Sequence, residues 1–144
     1  MTARVKDYSL PLRKALVTKL QGTAALTALV PAARIYGERA PASDLTWPFI
    51  RMGSIILTPE RHDCYEGATH EVTIHAFSKE SQADQIYRIR EQVIAALDDA
   101  DLTILGDGGV TNMVHTASNL IPDPEEANAY HDIHDFMVSV ERKL

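Results

Sequence analysis

A single cysteine and the lack of long apolar runs limit what kind of protein this sequence encodes. With Cys64 alone, no disulfide is possible within the chain. The opening residues, MTARVKDYSL, contain no apolar stretch typical of a signal peptide or a membrane segment. We therefore expect a protein of a reducing cytoplasm without a membrane anchor.

Basic residues are too few for a protein that grips nucleic acid. The chain has 14 Lys and Arg against 20 Asp and Glu, a formal net charge of −6, whereas binding to phosphate backbones depends mainly on clustered Lys and Arg. Residues 4–19 are mainly basic, and residues 98–135 contain no Lys or Arg. These segments are either solvated faces of one domain or complementary faces through which subunits meet head to tail, as in a ring.

The length and composition indicate one globular domain. A chain of 144 residues buries roughly two-thirds of its unfolded surface, which is enough to fold without disulfides or metals. Hydrophobic residues make up 45% and charged residues 24%, as in an ordinary globular protein. We predict a single domain over residues 1–144, and no motif in it indicates a cofactor.

Apolar periodicity predicts a helix near the start of the chain. Leucines at intervals of four form its buried stripe: Leu12, Leu16 and Leu20. Gly22 ends this helix, and Thr23 is placed to cap a short second helix over residues 24–30. Pro31 stops the short helix because a proline ring does not continue a helix.

A second main helix is predicted after a serine cap, at Ser78 or Ser81. Its apolar residues fall on one side of the helix, while charged residues fall elsewhere. The stripe consists of Ile86, Ile89, Val93 and Leu97. This amphipathic pattern is the strongest helix prediction in the chain.

Four segments predict strands, because they are rich in β-branched and aromatic residues or alternate apolar with polar residues. They are residues 47–57, 71–77, 110–121 and 129–141. Residues 58–69 mix charges, Pro and Gly and predict a loop or the tip of a long exposed hairpin, while residues 34–41 predict a brief extended piece and a loop. Adjacent strands joined by turns favour antiparallel pairing. We predict an α+β fold, a four-stranded antiparallel sheet with two main helices packed on one face.

Two histidines and two aspartates lie within the stretch YHDIHDF, residues 130–136, in the last predicted strand. Because side chains alternate along a strand, Asp132 and His134 share the face of Phe136, whereas His131 takes the opposite face. The two histidines therefore cannot ligate one metal from within this strand, and a zinc site needs three or four converging ligands. The pattern favours a polar strand over a metal site.

The last strand also carries apolar residues on both of its faces. Phe136 and Val138 mark the core face, yet Ile133 and Met137 fall on the face that a one-sided sheet would give to water. Apolar residues on both faces indicate that the second face is covered. The cover is either the long loops of the same chain or another subunit.

The other candidate motifs do not assemble a catalytic site. The stretch His62-Asp63-Cys64 brings a thiol near an imidazole, but no second Cys and no Gly-x-Ser-x-Gly turn accompanies it. Residues 106–109 lack the Lys and Ser/Thr that complete a phosphate-binding loop and predict a turn. The remaining histidines of predicted strands are interpreted as polar members of half-solvated faces: His70, His75 and His115. We predict that the protein is not an enzyme.

A set of short motifs follows the predicted N-terminal helix in a fixed order. The motifs are Arg34-Ile35-Tyr36, Ala40-Pro41, Pro48-Phe49-Ile50 with Gly53, His70-Glu71-Val72, Phe77-Ser78 and the tyrosine-led strand from Tyr130 to Phe136. In this order they resemble the tail-completion, or tail-terminator, family of long-tailed bacteriophages and gene transfer agents. The resemblance covers most of the chain. The acidic, histidine-rich segment 131–135 departs from the family pattern.

The resemblance implies a small subunit that forms a ring, typically a hexamer, on the head-proximal end of a tail tube. There it would end tube polymerisation and provide the surface that docks to the head. Its partners would be copies of itself, the tail tube protein and the head connector or stopper protein, while DNA passes through the lumen without specific binding. It would act in the host cytoplasm during assembly and then in the virion, at the head-tail junction.

Two sets of residues would serve such a ring. We expect its subunit interface at Ile133, at Met137 and at the hairpin tip near Tyr65. An acidic channel that repels phosphates would be lined by members of a second set. This set is Asp98, Asp99, Asp101, Asp107, Glu60 and Glu66.

Three other functions remain open from the sequence. One is a different head-to-tail joining protein, such as a stopper or an adaptor. Another is a small metal-dependent enzyme that uses His131, His134 and the nearby aspartates. The third is a non-viral ligand-binding α+β domain, which would be monomeric or dimeric.

Overall fold

The chain folds into one sheet with its helices packed on one face. The computed structural model describes residues 6–41, 45–61 and 66–143, with the backbone alone at positions 61 and 66. The elements are α1 (Ser9–Gln21), α2 (Ala24–Thr27), a 3-10 turn (Ala32–Arg34), β1 (Ile35–Tyr36), β2 (Phe49–Arg61), β3 (Glu66–Lys79), α3 (Asp84–Leu97), β4 (Gly108–Pro122) and β5 (Ala129–Arg142). Within the described ranges, no helix is long and apolar enough to span a membrane.

Both main helices follow their predicted apolar stripes. The buried residues of α1 are Leu12, Leu16 and Leu20, and those of α3 include Ile86, Ile89, Val93 and Leu97. Gly22 is the C-cap of α1, as predicted. The short helix α2 ends at Thr27, three residues before its predicted end at Val30.

The start of α3 differs from the prediction. The residue at its N-cap is Ala83, which makes no side-chain capping bond, so neither Ser78 nor Ser81 caps the helix. Strand β3 continues to Lys79, two residues beyond its predicted end, and the helix therefore begins later. Ser78 is buried, and its hydroxyl donates a hydrogen bond to Gln85 Oε1 at 2.8 Å.

The sheet has five strands, in the order β1-β2-β3-β5-β4, and is mixed. The α+β class is confirmed, but the prediction of four antiparallel strands is incomplete because β1 pairs with β2 in parallel. Only Ile35 and Tyr36 take part, opposite Ile50 and Arg51. These two residues belong to the brief extended piece predicted within residues 34–41, but two residues are too few to show an alternating pattern, so the sequence did not indicate that they join the sheet.

The hairpin of β2 and β3 is longer than predicted. Residues 58–61 and 66–69, predicted as loop, continue the ladder in register, with Thr58 opposite Thr69 and Pro59 opposite Ala68. Pro59 is tolerated because β1 pairs with β2 only at its beginning, which leaves this part of β2 at the edge of the sheet. The stretch His62-Asp63-Cys64 and Tyr65 lie outside the described residues.

The two faces of the sheet differ in what covers them. The inner face packs against α1 and α3 in one core that includes Ile50, Val72, Ile74, Phe136 and Val138. Along β5, buried and half-buried residues alternate from Asp132 to Val140, which confirms the predicted division of this strand. We call the opposite side, which carries Ile133 and Met137, the outer face.

Gly53 lies at a register shift between β2 and β3, where the strands approach closely. A Cβ at this position would lie 2.8 Å from the carbonyl oxygen of Thr73 and 2.6 Å from His75 Nε2. Since the carbonyl belongs to the neighbouring backbone, we expect Gly53→Ala to lower the free energy of unfolding by about 1–3 kcal/mol. Urea unfolding measures this change.

Gly37→Ala is the matched control. The atom nearest to its added Cβ is 3.8 Å away, at ordinary van der Waals distance. We expect a change within about 0.5 kcal/mol for this variant. An equal loss in both variants would show that close approach at Gly53 is not the cause.

Candidate functional site

The histidines of the last strand lie on opposite faces of the sheet, as the alternation predicts. Strand β5 lies between β3 and β4, so each of its two edges is paired with a neighbouring strand. Asp132 and His134 are buried on the inner face, and His131 is half-buried on the outer face. The stretch YHDIHDF therefore contributes to two separate clusters.

The inner cluster centres on the carboxylate of Asp132, which is fully buried. Arg90 on α3 binds it through two hydrogen bonds, in which Nε donates to Oδ2 and Nη2 donates to Oδ1, both at 2.7 Å. The hydrogen bonds to Asp132 raise the pKa of the Arg90 guanidinium. Two parallel N–H···O bonds to one carboxylate are strong and directional, so this pair fastens α3 to β5.

A chain of hydrogen bonds continues from β5 to β4. His134 Nδ1 lies 2.7 Å from Ser118 Oγ, which lies 2.7 Å from His115 Nε2. His134 Nε2 is 3.3 Å from Asp132 Oδ2, but it makes no hydrogen bond within the described part of the chain. Burial lowers the pKa of His134 to about 4, so this imidazole is neutral at pH 7.

The order Ser118, His134, Asp132 is that of a hydrolytic triad, but its electrostatics do not suit catalysis. In a triad, the negative charge of the aspartate stabilises the imidazolium that forms during the reaction. Here Arg90 already neutralises that carboxylate. An imidazole with a pKa of about 4 is also a weak base at neutral pH. We interpret these hydrogen-bonded side chains as a polar core that joins α3, β5 and β4.

Arg90 is the member of this cluster that sequence analysis missed. The alternation places Asp132 on the face of Phe136, and a carboxylate on a buried face needs a cation. Arg90 directly follows the buried residue Ile89 on α3, so it is a basic residue next to the helix stripe that faces the sheet. These two observations together could have identified the pair.

The interpretation of His70 as a half-solvated residue is wrong. Its side chain is fully buried, and its Nε2 accepts a hydrogen bond from the backbone N–H of Tyr8 at 3.2 Å. Burial lowers the pKa of His70. His75 and His115 are half-buried, as predicted.

The outer cluster stacks imidazole and phenyl rings near the beginning of β2. His75 Nδ1 and His131 Nε2 are 2.7 Å apart. The Phe77 ring stacks on His131 with centroids 4.2 Å apart, and the Phe49 ring stacks on Phe77 at 4.5 Å. Burial lowers the pKa of both imidazoles, that of His75 to about 4. Two imidazoles bonded to each other and packed against phenyl rings form a structural cluster.

The described residues offer no geometry for the predicted alternative of a metal enzyme. Within residues 6–41, 45–61 and 66–143, no group of three His, Cys, Asp or Glu side chains is placed to hold a metal ion. His131 and His134 lie on opposite faces and enter different hydrogen-bonded clusters.

The outer face carries a row of side chains across four strands. Register places Ile56 opposite Glu71, Glu71 opposite Met137, and Met137 opposite Val114. We call these four residues the cross-strand row. Ile56 is 55% exposed, Val114 is 40% exposed, and Met137 is half-buried. Ile133 lies on the same face of β5, so the row presents apolar surface outside the core.

The predicted channel acids do not form one cluster. Asp107 forms ion pairs with Lys6 at 2.5 Å and with Arg142 at 3.6 Å, so part of the acidic segment is neutralised by the basic N-terminal segment of the same chain. Asp98 Oδ1 accepts a hydrogen bond from the backbone N–H of His115 at 2.8 Å, beside the edge of β4.

The other acids lie elsewhere on the molecule. The backbone N–H of Asp99 donates to Met113 at the edge of β4, and Asp101 lies beside α1. Glu60 accepts a hydrogen bond from the hydroxyl of Thr69, near the end of the β2–β3 hairpin. Only the backbone of Glu66 is described.

A mainly apolar groove lies between α1 and the segment 101–105. We call it the α1 groove, and its lining residues are Pro11, Lys14, Ala15, Thr18, Lys19, Asp101, Leu102, Thr103, Ile104 and Leu105. Leu105 is 77% exposed, and Leu10 on the first turn of α1 is 57% exposed. Because α1 packs on the inner face of the sheet, this groove and the cross-strand row lie on opposite sides of the domain.

We expect Arg90→Met to destabilise the protein more than Asp132→Leu. The first change leaves a fully buried carboxylate without its cation, which costs about 3–5 kcal/mol. The second leaves a guanidinium that is 24% exposed and able to reach water. The double variant should be more stable than Arg90→Met, because an apolar pair replaces a buried ion pair at little net cost. Urea unfolding gives the order, and a double variant less stable than both single variants would contradict it.

Two comparisons with known proteins bear on the identity of the chain. The family described as Tail completion protein gp17 matches residues 14–141. A chain from the virion of a native gene transfer agent particle has the same fold, with a TM-score of 0.82, 21% sequence identity, and an alignment that covers 94% of this chain and 99% of that chain. No curated protein matches the sequence.

The two findings differ in what they establish. At 21% identity, the structural match shows a shared fold. The family match spans most of the chain and confirms the resemblance drawn from the ordered motifs. The protein therefore belongs to the family of tail completion protein gp17 and is a phage tail structural protein.

Proposed function

We propose that this protein assembles as a ring, a hexamer, on the head-proximal end of the tail tube. There it ends tube polymerisation and provides the surface that docks to the head connector or stopper protein. Assembly takes place in the host cytoplasm, and the finished ring stays at the head-tail junction of the virion. The observation that carries this proposal is the apolar surface on the outer face of the sheet, in a member of a tail completion family.

The outer face suits contact with another protein subunit. Helices α1 and α3 pack against the inner face, and the outer face presents Ile133, Met137 and the exposed ends of the cross-strand row. An obligate interface buries more than roughly 2,000 Å² and is apolar at its centre. We place Ile133 and Met137 at that centre. The third position predicted for the interface, near Tyr65, lies outside the described residues.

The ring encloses a channel through which DNA passes without specific binding. We propose that carboxylates line this channel and repel the phosphates. Asp98 and Asp99, beside the edge of β4, are the strongest members of the predicted set, because Asp107 is paired with Lys6 and Asp101 lies in the α1 groove. Glu60, together with Glu66, belongs to the hairpin end of the sheet.

Met137→Asp should leave a folded domain that no longer caps tubes. The side chain lies on the outer face, so the core is unchanged, but a charge that loses its water in an interface costs several kcal/mol. Electron microscopy of tails produced with this variant measures tube length, and circular dichroism tests the fold. We expect overlong tubes of variable length.

Gln82→Asp is the matched control, because it adds the same carboxylate at an exposed position before α3. Tails made with it should have normal length. Normal capping by Met137→Asp would show that this face is not the joint. A second experiment omits the protein entirely. If the tails then have normal length but fail to join heads, the protein is a stopper or an adaptor.

The double variant Asp98→Asn/Asp99→Asn tests the acidic channel. Asn keeps the hydrogen-bond acceptor at position 98, and it tolerates the positive φ of 54° found at position 99. We expect normal tube length and normal head joining, but slower passage of DNA, measured as DNA release from purified particles. A structure of the ring with both side chains on its outer rim would remove this part of the proposal.

A further inference from the structure

We propose that the ring joint is head to tail: the cross-strand row of one copy binds in the α1 groove of the next copy. This inference rests on the proposed ring and names both halves of its joint. The row is Ile56, Glu71, Met137 and Val114, and the groove lies between α1 and residues 101–105.

The two surfaces are complementary in their apolar parts. The groove exposes Leu105 strongly, and Leu10, which precedes the lining residue Pro11 on the first turn of α1, is exposed as well. On the outer face, Ile56 and Val114 stand at the two ends of the row and are both exposed, with Met137 between them. Exposed apolar residues grouped on a surface mark a site of contact with another protein.

The two surfaces are also complementary in charge. Lys14 and Lys19 line the groove and are exposed, against a single acid, Asp101. On the outer face, Met137 is flanked by two carboxylates, since Glu71 lies opposite it on β3 and Asp135 lies two residues before it on the same face of β5. Opposite charges around an apolar centre steer association and fix its register.

Other charged groups on the outer face do not cancel these carboxylates. Arg51 belongs to the other end of the face, where it pairs in register with His75 and lies 5.6 Å from the Phe77 ring centroid. The hydroxyl of Thr73 donates to Asp135 at 2.9 Å, which leaves the negative charge in place. The part of the outer face around Met137 is therefore acidic and apolar.

Self-pairing of either surface is disfavoured. Two outer faces in contact would place carboxylates near carboxylates, and two grooves in contact would place lysines near lysines. A contact between two different surfaces on opposite sides of a domain propagates from copy to copy and closes into a ring when its rotation allows. A second copy of this chain is therefore the occupant that the charges favour over an unrelated partner.

A charge swap tests the joint within the full-length protein. Glu71→Lys would place a cation against the lysines of the groove, and Lys14→Glu/Lys19→Glu would place acids against the carboxylates of the outer face. We expect each variant to weaken self-association at least about tenfold, because like charges across an interface cost more than 1.4 kcal/mol. The chain that carries all three changes should regain most of the association, since every joint again pairs opposite charges.

Two readouts apply to all variants: the mass of the purified protein by light scattering and the length of tails made with it. Glu91→Lys, at an exposed position on α3, is the control for added positive charge, and circular dichroism confirms that each variant folds. Recovery in the swapped chain supports the proposed joint. The proposed joint would be overturned if the variants altered on one surface alone associate and cap tubes like wild type. It would also be overturned if the chain with all three changes does not recover association.

The proposed function can fail separately. If rings of normal mass form with Glu71→Lys but do not cap tubes, the outer face meets the tube protein and the proposed joint is wrong. If the wild-type protein does not limit tube length, the capping function is wrong whatever the joint is.

Discussion

A fully buried carboxylate has to be neutralised, and in this protein the guanidinium of Arg90 neutralises Asp132. The energetic cost of leaving this carboxylate unpaired in the interior ties α3 to the centre of the sheet in one position. Burial keeps the neighbouring imidazole of His134 neutral by lowering its pKa to about 4, and the ring is hydrogen-bonded to Ser118 on β4. Three elements that meet through directional polar contacts are held in one relative arrangement.

This arrangement also sets what the other face of the sheet presents. Because side chains alternate along β5, fixing Asp132 and His134 inside places Ile133 and Met137 outside. A shift of β5 by one residue would exchange the two sets and remove from the inner face the carboxylate that Arg90 binds. The polar core and the proposed assembly surface are therefore two consequences of one register. The charges of the polar core are paired within a single chain, whereas the proposed surface requires a second copy.

The regular elements could be predicted from residues because their signals are local. The leucine stripe of α1, the apolar stripe of α3 and the alternation of β5 each lie within one segment, and the structure keeps all three. Predictions failed where distant contacts decide. Residues 35–36 were predicted as extended, but nothing in them indicated the parallel pairing with β2. The charged ends of the β2–β3 hairpin, predicted as loop, are held in a ladder by pairing across strands.

The candidate site likewise has features that the local sequence predicts and features that depend on distant contacts. The sequence by itself determined which face of β5 each side chain takes and which family the chain resembles, because alternation and motif order are properties of the linear chain. Only the tertiary structure decided that Arg90 meets Asp132, that His75 meets His131, and that Lys6 neutralises Asp107. These pairs join residues from 42 to 101 positions apart, and no local pattern specifies which distant charges or rings the folded core brings within hydrogen-bond distance.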